Sequence, residues 1–292
     1  MLFPHQSYVG SGKNRMLAIT VRKHLIRATG AVIGAILSIG IVSAHAESPA
    51  AAAKAFIETL SKDEARNALA AFDASDRKNI RFTPGRRGGL SLKAMDAGSR
   101  VAATRLLEKT LSADGVRMVG YIRQREKILG EITDNPGYRD PDLYYLAIFG
   151  DPGKGLWSYR FEGHHLSINM TYRDDKLISG VPVILASNPE KTDFPGAPAE
   201  LLGPLVRDAR ASAADEAARK RIIEAMTAHI PEPFRAKYRA GLSGRNALAK
   251  HRKTWGGMEL HSDNAILEIE TDQTNHIHIT FRDRVWDFGG VK

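Results

Sequence analysis

Along the chain the spacing of apolar positions changes character several times. Pro49–Phe72 is alanine-rich with helical spacing, and Ser61-Lys62-Asp63-Glu64 has the capping-box form that opens a second helix. Asp96–Leu111 repeats Val101, Leu106, Leu107 and Leu111 near the helical period, with Gly115 read as its stop. Val116–Ile132 continues through Val119, Ile122, Ile128 and Leu129, and a dense turn cluster, Asp134–Pro141, follows. Beyond it the period shortens. Leu143–Phe149 is a nearly continuous apolar run closed by Gly150-Asp-Pro-Gly153, as in a buried strand. Trp157–Glu162, His165–Tyr172 and Leu177–Leu185 read as further strands, with an Asp174-Asp175 turn that implies an antiparallel pair. Ala199–His229 returns to helix and ends at Pro231-Glu-Pro233. A short helix at Ser243–Lys250 and two strands, Ala265–Glu270 and His276–Arg282, complete the chain. This order predicts an α+β fold in which an antiparallel sheet packs with helices as a single domain, residues 47–292.

The first 46 residues read differently. They hold Lys13, Arg15, Arg22, Lys23 and Arg27, no acid, then an apolar run to Val42 and the small-residue sequence Ala44-His45-Ala46. That is the order of a secretory signal peptide, which predicts a periplasmic or secreted protein. The run is shorter than the roughly 20 residues of a spanning helix, so no membrane span is expected after cleavage. A retained anchor is the rival reading, and the long basic stretch leaves Met1 and Met16 as alternative starts.

Removing this leader changes the charge argument. The whole chain is +9, but five of its 42 basic residues and none of its 33 acids lie in the leader, leaving about +4. That is an ordinary surface and gives no case for nucleic acid as a partner. The one basic cluster, Arg77, Lys78, Arg81, Arg86 and Arg87 around Phe82-Thr-Pro-Gly85, reads as a solvated loop rather than an anion site. With no cysteine, disulfides, thiolate metal sites and a cysteine nucleophile are excluded. Neither a dinucleotide fingerprint, a phosphate loop nor a Gly-x-Ser-x-Gly elbow occurs.

The remaining candidate chemistry is histidine. Four of the seven histidines outside the leader form Gly163-His164-His165 and His276-Ile277-His278. In the last strand Ile277, Ile279 and Phe281 share one face, and His276, His278, Thr280 and Arg282 the other. Earlier, the apolar parity of Trp157, Tyr159 and Phe161 switches to Leu166, Ile168, Met170 and Tyr172. A β-bulge at Gly163-His164 is preferred to a tight reversal, because no turn pair such as Asn-Gly is present. Arg160, Glu162, His165, Ser167 and Asn169 then share a face. Should the two polar faces meet, His165, His276 and His278 would ligate a divalent metal (zinc, copper or iron). Glu162 would be a ligand or general base, His164 the re-aimed bulge residue, and Arg160 and Arg282 the clamps on an anionic substrate group. Asp283 or Asp287 would orient an imidazole.

Alternatives stay open. The chain could be a non-catalytic periplasmic binding protein for a metal ion or a small anionic ligand. Its histidines could also simply lie on a wetted sheet face. His165-Leu166-Ser167 and His278-Ile279-Thr280 also fit the His-apolar-Ser/Thr pattern of metal-free phosphodiesterases, with one histidine as base and one as acid.

The blocks Tyr138-Arg-Asp-Pro-Asp-Leu-Tyr-Tyr145, Ile148-Phe-Gly150 and Trp157–Asn169 resemble the domain-of-unknown-function family 3500. Pro84…Arg87-Gly-Gly-Leu90, Leu111-Ser112…Gly115, Pro182…Asn188-Pro189 and Trp255-Gly-Gly257 fit it too. So do Asn275-His-Ile-His278, Arg282-Asp283 and Asp287-Phe-Gly289. One departure is Ala186-Ser187, where the family leads to an expectation of Gly-Ala. The resemblance spans about residues 56–290. It implies one unit and makes both histidine blocks family motifs, and it brings no catalytic roles with it.

Overall fold

The computed structural model describes residues 47–211, 215–233, 235–236, 256–261, 265–272 and 275–290. The leader and the Ser243–Lys250 helix lie outside the described residues. Helix α1 spans Pro49–Glu58, with Ser48 as its N-cap. Helix α2, Lys62–Ala68, begins at the predicted capping box: the Ser61 hydroxyl accepts from Glu64 N–H while the Glu64 carboxylate accepts from Ser61 N–H. Asp96 caps α3 (Ala97–Thr110), and Ser112 caps α4 (Ala113–Ile132). Gly115 therefore sits inside the first turn of α4 instead of stopping α3. A side chain there would lie 2.9 Å from the Cα of His229, so glycine is needed for close packing.

Among the described residues ten strands form one sheet: β1 (Leu69–Ala70), β2 (Leu90–Ser91), β3 (Tyr145–Phe149), β4 (Leu156–Gly163), β5 (Leu166–Arg173), β6 (Lys176–Ser179), β7 (Val183–Ser187), β8 (Gly256–His261), β9 (Ala265–Thr271) and β10 (Ile277–Asp283). The spatial order is β1-β3-β4-β5-β7-β10-β9-β8, with β2 beside β3 and β6 beside β5. Every pairing among the described residues is antiparallel except β1 with β3, so the sheet is mixed and the fold is α+β. The stretch predicted as one strand, Leu177–Leu185, divides into β6 and β7 around Gly180-Val181-Pro182, where proline offers no ladder donor. The predicted Ala199–His229 helix is likewise two, α5 (Gly203–Ala211) and α6 (Glu216–Thr227). From His45 onward the chain forms one compact unit. No described helix is long and apolar enough to cross a membrane.

Register explains how the two faces differ. Trp157 pairs with Tyr172, Tyr159 with Met170 and Phe161 with Ile168. All are buried in the core against residues of α1, α3 and α4, and the Thr110 hydroxyl lies 2.7 Å from that of Tyr159. On the opposite face Arg160 pairs with Asn169 and Glu162 with Ser167. These four are buried as well, so this part of the sheet is not a wetted face. The covering strap is the segment of residues 76–82. Asp76 meets Arg160 at 2.6 Å, Arg81 N–H donates to Glu162 at 3.2 Å, and Phe82 C=O accepts from His165 N–H at 2.9 Å.

Candidate metal centre

The expected bulge at Gly163-His164 is replaced by a two-residue reversal. Gly163 pairs directly with Leu166, leaving His164-His165 as the turn between β4 and β5. A reversal of this length inverts the parity of inward positions, which is the switch visible in the sequence. Histidine can fill such a turn because His, like Asn and Asp, enters the left-handed region more readily than most residues. His165 does so, at φ 66°. Gly163 is required for another reason: a Cβ there would lie 2.3 Å from the Tyr144 ring. Tyr144 in turn donates its hydroxyl to His164 C=O at 2.7 Å.

Convergence of the histidine blocks follows from the sheet. Ala186 N–H donates to His165 C=O at 2.8 Å, and Ala186 pairs with His278 across β7 and β10. The turn, Ala186 and His278 thus form one row on the polar face. The small Ala186 leaves space above it in which imidazoles from both sides meet. His165 Nε2 is 2.9 Å from His276 Nε2, and His276 and His278 rings stand at 4.5 Å and 90°. Ligand atoms of His165, His276 and His278 all lie within 4.8 Å of one another. In tetrahedral zinc sites, with bonds of about 2.0–2.1 Å, ligand atoms lie roughly 3.4 Å apart, so small ring rotations suffice. Phe82 closes this side, its ring edge-on to His278 at 5.3 Å.

A second triad shares His165. Glu126, His164 and His165 also bring ligand atoms within 4.8 Å. His164 stacks on His165 at 3.5 Å between centroids, and its Nδ1 lies 2.5 Å from the buried Glu126 carboxylate. Arg139 adds a contact to His164 Nδ1 at 3.0 Å and to Glu126 at 3.8 Å. Glu126 escaped the sequence reading, although a signal existed: with Val119, Ile122 and Leu129 it continues the apolar stripe of α4. A carboxylate on such a stripe must be partnered in the interior. Arg139 and Phe82 carried no comparable signal.

Proton affinities are depressed throughout. Burial lowers His164, against an upward pull from Glu126, and lowers His165 well below its ordinary value with help from the neighbouring rings. Burial also lowers His276, which Asp272 opposes from 3.8 Å away, and pushes His278 down to about 4. Neutral imidazoles present lone pairs, the form in which histidine binds metals. Two Nε2 atoms at 2.9 Å cannot both present bare lone pairs; a proton or a cation must lie between them.

The other expected site residues lie elsewhere. Glu162 is one row below the histidines; its Oε2 accepts from Arg81 N–H and from the Ser167 hydroxyl at 3.3 Å, and its Oε1 stands 3.1 Å from Arg160 Nε as an ion pair without hydrogen-bond geometry. Burial raises its proton affinity, which Arg160 opposes. Arg160 is a further row down and is bound to Asp76 and the strap carbonyls of Asp76 and Asn79. Arg282 is four residues along β10 from His278, about 13 Å at strand rise, and forms a two-pronged pair with Asp287. Asp283 accepts from Val285 and Trp286 N–H groups. His165 lies in the turn and Ser167 one row below it on β5, both on the polar face.

A family profile described as "Protein of unknown function (DUF3500)" matches residues 43–244. The chain belongs to this family. The matched span includes Gly163-His164-His165 and Glu126 and stops before His276. No curated protein and no solved structure matches.

Proposed function

We propose that this member of the family is an exported metal-dependent enzyme, with hydrolysis as its reaction class. The observation that carries the proposal is the meeting of His165, His276 and His278 at one end of the sheet's polar face, in a chain without thiols. Three imidazoles suit zinc, copper or iron and leave a coordination position for water or substrate. A bound divalent ion would supply electrostatic polarisation of an oxygen. The chain's own contribution is Glu126 with His164: a carboxylate and an imidazole at 2.5 Å can hold and pass a proton beside the ion. Export rests on the leader pattern alone.

A second reading, non-catalytic metal binding, is favoured by the burial of His165 and by Phe82 across His278, which both restrict access. Turnover separates the two. Purified chain loaded with zinc, and separately with copper or iron, is offered ester, amide and phosphoester panels. Hydrolysis that stops with chelator and in Glu126→Gln supports the enzyme. Metal binding without turnover on any panel supports the binder.

A further inference from the structure

The basic cluster is only in part the solvated loop that its sequence suggests: Lys78, Arg81 and Arg86 are exposed. Arg77 and Arg87 are buried, and Arg87 is only 7% exposed. Beside it opens a cleft of about 680 Å³ lined by Arg66, Asn67, Arg81, Arg86, Arg87 and Tyr145, among others. That is ample for a small ligand. Asp76 is the one acid in the lining, and its charge is engaged by Arg160 at 2.6 Å. Arg81 and Arg86 are exposed there, and among the described residues neither guanidinium is held by a carboxylate. Arg87 donates one nitrogen to Thr83 C=O, while its Nε and Nη1 are buried with no hydrogen-bond partner. A buried guanidinium with idle donors is costly unless something compensates it.

We propose that this cleft binds a small multiply charged oxyanion, a phosphate or polycarboxylate group, with Arg87 at its inner wall and Arg81 and Arg86 closing from outside. Guanidinium forks match both kinds of oxygen acceptor. The anion-clamping role expected of Arg160 and Arg282 passes to these three. Arg87 also connects the cleft to the polar face, since its charge acts on Glu162 and His164. The inference does not depend on a metal.

Calorimetric titration of the full chain with inorganic phosphate and, separately, citrate tests this, with chloride setting ionic strength and with or without chelator. The expected result is saturable binding of at least one probe in the chelated protein. Phosphate alone or citrate alone identifies the class. Arg81→Ala and Arg86→Ala, both surface changes that spare the fold, should each weaken binding about tenfold. Arg87→Gln should abolish it, with circular dichroism reporting whether the fold survives. No saturable binding up to about 10 mM of either probe, affinity unchanged in Arg81→Ala and Arg86→Ala, or binding only in metal-loaded protein would overturn the proposal.

Discussion

Held at φ 66° by hydrogen bonds on both its backbone N–H and its C=O, the His165 imidazole has little freedom to leave the polar face. Asparagine tolerates the same backbone. His165→Asn should therefore keep the fold and lose metal affinity. His165→Val should add roughly 1–2 kcal/mol of instability through the same dihedral, read by urea denaturation of both variants. The depressed proton affinities make a pH prediction with a definite sign. His278 titrates near 4 in the folded chain, against about 6.5 when unfolded. Below about 6.5 the unfolded chain takes up the proton first, so the contribution of His278 is full above that pH and is lost as pH falls toward about 4. Chelated protein should lose denaturant resistance over this window, and His278→Gln should flatten the profile.

Between residue and sheet, the legible elements were those announced by local chemistry. The Ser61–Glu64 capping box, the stripe of α4 and the Asp174-Asp175 turn stand where the sequence put them, while the α3 stripe keeps Leu106, Leu107 and Leu111 inside and leaves Val101 exposed. What was hidden depended on partners far along the chain. The two-residue strands β1 and β2 exist only by pairing with β3. The His164-His165 reversal carries no familiar turn signature, and its requirement for Gly163 comes from Tyr144, on another strand's approach. The polar parity of β4, β5 and β10 was legible; that the strap of residues 76–82 buries part of it was not. Gly163→Ala should force the Tyr144 ring or the turn to move. The expected cost is about 1–3 kcal/mol, together with weaker metal binding although no ligand is touched. Unaltered urea midpoint and metal affinity in this variant would show that the close approach is slack.

Across the whole molecule, the centre depends on strand order. His165 and His276 are 111 positions apart and meet because β7 lies between β5 and β10, with Ala186 beneath the rings. Ala186→Val suits a strand and fills that space, so it should lower metal affinity about tenfold with little loss of stability. In the proposed site His165, His276 and His278 hold one divalent ion. The most direct test is elemental analysis of the full chain purified without added metal, followed by zinc titration of the chelated form. One ion per chain, lost in folded His276→Ala and His278→Ala variants, is the predicted result. Protein that carries no metal and takes up none, or variants that bind zinc as well as the parent chain, would contradict it.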